Sequence, residues 1–138
     1  MTGLKIDKLI VGQKALYSKT ITETDVYLFA GISGDINPAH VNDEYAKNTA
    51  FKGRIAHGIL TASFISAVIG MQLPGPGTIY VSQTLKFLAP VHFGDTITAS
   101  VEIKEIIKEK NRVILSTCCK NQDGVIVLTG EAIVLPPK

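Results

Sequence analysis

Asp35 and His40 are the residues of this 138-residue chain that read first as chemistry. They flank Asn37-Pro38 inside Ser33-Gly34-Asp35-Ile36-Asn37-Pro38-Ala39-His40. A carboxylate takes up a proton, and an imidazole titrates near neutrality. Held within reach of one reacting atom, the two can share a water and move its protons, which is general acid–base chemistry. Pro38 lacks an N–H and pushes Asn37 toward extended geometry, so the segment reads as a loop with fixed turns. Such a loop restricts both side chains before any reaction. Asn37 is expected to hydrogen-bond locally and hold the turn. Asp-x-Asn-Pro is also ordinary turn chemistry, with His40 capping the next helix. Spacing alone leaves both readings open, although loops are where function tends to sit.

Gly58 is the second candidate. A glycine at the start of a buried helix leaves its N–H free and lets a ligand approach closely. The helix end favours negative charge, and a carbonyl oxygen turning into an enolate would gain from it. Taken alone, tight packing explains such a glycine better. His57, just before it, is expected to be a structural cap or hydrogen-bonder, and His92 a turn residue. His40, His57 and His92 lack any familiar ligand spacing, so no metal is expected. Ser66, two turns beyond Gly58, would ordinarily bond the backbone one turn back. Lys52 and Arg54 could meet phosphate groups of a cofactor-like substrate, but a solvated surface is the plainer reading. No nucleophile elbow, phosphate loop or dinucleotide fingerprint is present.

These residues need elements to hold them. Thr22 can cap a helix, with Asp25 three residues on in a capping-box position and Ile21 and Val26 as a staple. Val26, Phe29 and Ala30 give its apolar stripe, and Gly31 or Gly34 can end it. A short helix is expected over Asp43 to Lys47. A third should run from His57-Gly58 to about Gly70, where Gly70 and Pro-Gly-Pro-Gly at 74–77 stop it. It is apolar nearly all round, the pattern of a buried helix. Strands are expected over Thr78 to Leu88, Thr96 to Lys108, Arg112 to Asn121 and Val125 to Leu135, and Lys14 to Ile21 can add another. Thr96 to Lys104 alternates at period two. Turn signals at Lys110-Asn111 and Asn121 to Gly124 make the last three strands a meander. The sum is one α+β domain over 1–138, an antiparallel sheet facing one long helix. One helix covers one face only, so a homodimer is expected.

Composition narrows the class. Hydrophobic residues make up 46% and charged residues 19%, which excludes a disordered chain. A net charge of +2 from scattered basic residues excludes the dense basic face of a nucleic-acid binder. Cys118 and Cys119 are adjacent, so they frame no disulfide scaffold and fit a reducing compartment. Lys5, Asp7 and Lys8 interrupt any leader-like apolar run, and the stretch from Gly58 to Met71 is shorter than the roughly 20 residues of a membrane span. A cytoplasmic protein without membrane partners is expected.

The run from Phe29 to His40, followed by Ala46, resembles the signature of the MaoC-like, (R)-specific enoyl-CoA hydratases. Ala56-His57-Gly58-Ile59-Leu60-Thr61, the strand Tyr80 to Leu88 and the turn Pro90 to Asp95 are similar too, so the likeness spans nearly the whole chain. The resemblance implies a hot-dog fold, a homodimer, and reversible addition of water to a trans-2-enoyl thioester. It implies Asp35 and His40 as the catalytic pair and Gly58 as donor to the thioester carbonyl. Ser66 and Asn37 then join the substrate site. No cofactor or metal is implied, because the acyl-CoA or acyl-ACP thioester already acidifies its α-position. Rival readings are acyl-ACP dehydration, a hot-dog thioesterase, which the Asp-x-Asn-Pro-x-His loop argues against, and a non-catalytic acyl-thioester-binding module. Polyester precursor supply, β-oxidation and fermentation would all use the step.

Overall fold

The computed structural model describes residues 1–138. A six-stranded antiparallel sheet is built from β1 (Lys14–Thr20), β2 (Ile79–Gln83), β3 (Lys86–Phe87), β4 (Thr96–Ile107), β5 (Arg112–Lys120) and β6 (Ile126–Leu135). The strand order is β1-β4-β5-β6-β2, and β3 also pairs with β6. Four helices, α1 (Glu23–Ser33), α2 (Pro38–Val41), α3 (Asp43–Ala46) and α4 (Gly58–Met71), fall between β1 and β2. No helix is long and apolar enough to cross a membrane.

The period-two pattern of β4 does what it implies. Ile97, Ala99, Val101 and Ile103 are buried, and their neighbours in sequence face outward. Val113, Leu115, Thr117 and Cys119 do the same on β5. The meander β4-β5-β6 forms with Asn111 left-handed at the first turn and Gly124 left-handed at the second. Leu60, Phe64, Ile65, Val68 and Ile69 of α4 fill the concave face of this sheet. Burying a side chain of that size contributes about 1.5–3 kcal/mol.

Two expectations change. The strand expected from Thr78 to Leu88 is split into β2 and β3. There the chain crosses directly over Gly130, where a Cβ would come within 1.8 Å of the Thr84 carbonyl oxygen. Thr84 N–H donates to the Glu131 carbonyl and Glu131 N–H to the Thr84 hydroxyl, which fixes the crossing. The second change concerns α4, which is not buried all round. Ile59 is 54% exposed and Met71 67%, with Ser63 and Ser66 on the same open side.

α1 begins as its capping box requires: Asp25 N–H donates to the Thr22 hydroxyl and Thr22 N–H to the Asp25 carboxylate. Ile21 and Val26, the staple pair, have no exposed surface. Gly34, at φ 79°, ends α1 in the left-handed conformation. The segment that follows is less of a loop than expected. Asn37 caps α2 by accepting the Ala39 N–H at 3.0 Å, and Pro38 takes the first helical position, where its missing N–H costs nothing. A single helical turn thus carries His40.

Candidate active site

Asp35 sits between the end of α1 and the cap of α2. Its Oδ1 accepts the Asn37 N–H at 3.1 Å, and its own N–H donates to Ser33 Oγ, also at 3.1 Å. Ser33 in turn donates to the Phe29 carbonyl. These short-range bonds fix the carboxylate while its side chain stays about half exposed, at 52%. His40 Nδ1 meets the Ile55 carbonyl at 2.7 Å. A carbonyl only accepts, so Nδ1 carries the proton and donates. Nε2 then faces Asp35 Oδ2 across 4.0 Å. That gap is too wide for a direct hydrogen bond and suits one water touching both atoms.

The segment before α4 ties this pair to a cleft. Ile55 N–H donates to the Ala39 carbonyl, and Ala56 N–H donates to the Val91 carbonyl. The chain then enters α4 at Gly58. No acceptor in the chain takes the Gly58 N–H. Gly58 forms part of the wall of a cleft of about 470 Å³ whose lining is mostly apolar, with Phe51, Phe87, Leu88, Val127 and Leu128 among its residues. A Cβ on Gly58 would lie 2.6 Å from the Phe87 ring. Gly58 therefore packs closely against Phe87, and its amide has no partner in the chain. The N-terminus of a 14-residue helix adds its dipole to that amide.

His57 is the residue whose place sequence reasoning missed. Its ring is 3% exposed, and Nε2 donates to the main-chain carbonyl of Asp35 at 2.9 Å. It stacks on His40 with ring centroids 3.8 Å apart and leans on Phe29 at 4.8 Å. Nδ1 is buried with no partner. It is a hydrogen-bonder, as one reading had it, but it makes no side-chain cap to α4. Its only sequence signal was its position directly before Gly58. Asp35, His40 and His57 bring a carboxylate oxygen and two ring nitrogens within 4.8 Å of one another.

The other candidates hold different places, and only Asn37 touches the pair, through its N–H to the Asp35 carboxylate. Asn37 faces its own helix end as described. Ser66 lies on the exposed side of α4 and, like Asp35 and His40, is not among the residues that line the cleft. His92 is a turn residue as expected: its N–H donates to Asp95, and its Nε2 contacts the Phe51 carbonyl at 3.0 Å. Lys52 is exposed in the left-handed region, at φ 59°. Arg54 is not the solvated surface charge expected, and carboxylates already pair it. Its side chain is mostly buried over the Phe93 ring and joins Glu23 of α1 to Asp43 of α3, with the Tyr27 hydroxyl as a further partner. Its guanidinium pKa is raised chiefly by the Glu23 hydrogen bond, with burial opposing.

An antiparallel sheet curled around one central helix is the hot-dog fold, and here it carries a carboxylate–imidazole pair tied through His57 to a helix end whose amide is free. The chain belongs to the MaoC-like domain family, whose model matches residues 9–122. Over 126 residues it is 57% identical to an (R)-specific enoyl-CoA hydratase of Rhodospirillum rubrum, covering 91% of this chain and 87% of that one. It is 48% identical to a 3-hydroxybutyryl-CoA dehydratase of Methylorubrum extorquens, covering 98% and 85%. Among solved structures, the unliganded R-hydratase PhaJ1 of Pseudomonas aeruginosa superposes with a TM-score of 0.94 at 47% identity, covering 99% and 88%.

Proposed function

We propose that the protein is an (R)-specific enoyl-CoA hydratase, a hydro-lyase that adds water reversibly to a trans-2-enoyl thioester. The observation that carries this reading is the 4.0 Å gap between Asp35 Oδ2 and His40 Nε2, tied through His57 and Ile55 to the segment whose free Gly58 amide lines an apolar cleft. Water is a weak nucleophile near neutral pH. Asp35 and His40 orient one molecule and draw off a proton as its oxygen bonds to the β-carbon. The C=C π electrons shift toward the thioester oxygen, where the Gly58 N–H and the end of α4 receive the charge. One water proton remains on the new hydroxyl and the other ends on the α-carbon. The pair thus returns to its starting protonation, and (R)-3-hydroxyacyl thioester is released. The names of the similar proteins support this reading.

The reading extends to a homodimer. β2 is an edge strand, yet its Ile79, Tyr80 and Val81 are exposed, and so is one side of α4. Apolar surface on an unpaired strand edge calls for a partner. Cys118 and Cys119 are both free, which fits a cytoplasmic location.

The decisive experiment incubates purified protein alone with crotonyl-CoA. Expected is loss of enoyl-thioester absorbance and formation of (R)-3-hydroxybutyryl-CoA. Binding without turnover would instead make the protein a carrier of acyl thioesters. Rates on CoA and carrier-protein thioesters then distinguish hydratase from acyl-ACP dehydratase.

A further inference from the structure

We infer that His57 is a positioning residue that locks the Asp35 backbone to the start of α4, an inference that rests on the hydratase reading. Asp35 and Gly58 lie outside α2 and α3, the two short helices between them, yet both must meet the same acyl group. His57 closes that gap. It is covalently next to Gly58, and its Nε2 holds the Asp35 carbonyl at 2.9 Å. Its ring also forms a wall for His40, 3.8 Å away, so one imidazole orders both members of the pair. Burial leaves the ring no freedom to turn away, because it is 3% exposed and flanked by Phe29 as well.

The tautomer follows from the partners. The Asp35 carbonyl can only accept, so the His57 proton is on Nε2. Nδ1 has no partner, and a proton there would leave a buried donor without an acceptor. His40 has the opposite arrangement, with its proton on Nδ1 toward Ile55. The two stacked rings therefore hold opposite tautomers. His57 touches no reacting atom and acts through Asp35 and His40.

The test has a spectroscopic arm and a kinetic arm. In ¹⁵N-labelled wild-type protein, long-range ¹H–¹⁵N spectra should assign His57 to the Nε2–H tautomer, with the signal identified by its loss in His57→Gln. An Nδ1–H assignment would overturn the inference whatever the activity. With crotonyl-CoA, His57→Leu should lower kcat by about 100-fold with KM changed less than about threefold. His57→Gln keeps an N–H donor at similar reach and should stay within about fivefold of wild type. In an Asp35→Asn background, His57→Leu should cost less than about threefold more, because the two act as a unit. Equal losses in Leu and Gln variants, or losses that multiply in the double variant, would reduce His57 to a packing residue. Thermal melts identify any variant that fails to fold, and the tautomer is read on wild type alone. An inactive wild type with the expected tautomer would sink the hydratase reading and not the lock.

Discussion

A carboxylate that is half exposed and an imidazole tied down at one nitrogen are suited to passing protons through water. Asp35→Asn keeps the Asn37 N–H contact but removes the base, so kcat should fall by about 10²- to 10⁴-fold with the melting temperature nearly unchanged. His40→Gln should fall in the same range, measured by the same loss of enoyl absorbance. Were both variants to keep wild-type rates, the pair would have no catalytic part. Gly58→Ala makes a different point. Its methyl would meet the Phe87 ring at 2.6 Å and force that ring to move, costing roughly 100-fold in kcat/KM. Adding Phe87→Ala should recover part of the loss, because the obstruction is the ring and not the backbone. At this scale the sequence was informative where it was local. Asp35 and His40 are five positions apart in one short segment, and the proline between them limits their geometry. His57 is 22 positions from the carbonyl it binds, and its partner depends on where α4 begins. No spacing rule reaches that far.

Elements show the same division. The capping box of α1 was legible because all its parts lie within four residues. Thr22→Ala should cost about 1 kcal/mol of unfolding free energy, measured in a denaturant melt. Burial pushes the Asp25 carboxyl up, but hydrogen bonds from Lys19 and Thr22 outweigh it and hold the pKa below its usual 3.8. Its folded value is depressed, so its contribution is present above the unfolded value and is lost as pH falls through the folded one. Asp25→Asn should therefore flatten the fall in melting temperature as pH drops from about 5 to below 3.8 relative to wild type. An unchanged slope would mean the box is not coupled to protonation. The meander was equally legible, since Thr96 to Lys104 declares its alternation and each turn its residues. The break between β2 and β3 was not. It is set by Gly130, which lies 46 positions after Thr84 and meets it only across the folded sheet.

For the whole molecule, hydropathy marked α4 as a helix to be covered without saying by what. The chain's own sheet covers Leu60, Phe64, Ile65, Val68 and Ile69, and leaves Ile59 and Met71 open. Periodicity cannot distinguish burial against one's own strands from burial against a second copy. Light scattering after gel filtration should give twice the monomer mass. Val81→Lys, placed on the exposed edge strand β2, should shift the population toward monomer. A wild type that elutes as monomer would refute the dimer. The proton-handling groups and the free amide all fall within residues 35–58, whereas Phe87, Leu88, Val127 and Leu128 wall the cleft from the later half of the chain. The stretch that decides which bond is made thus supplies part of the wall, through Phe51, Ile55 and Ala56, and a second stretch later in the chain supplies the rest and bears on how long a tail fits. Laboratory evolution could recontour the second by chimeric exchange and keep the handedness of the alcohol intact.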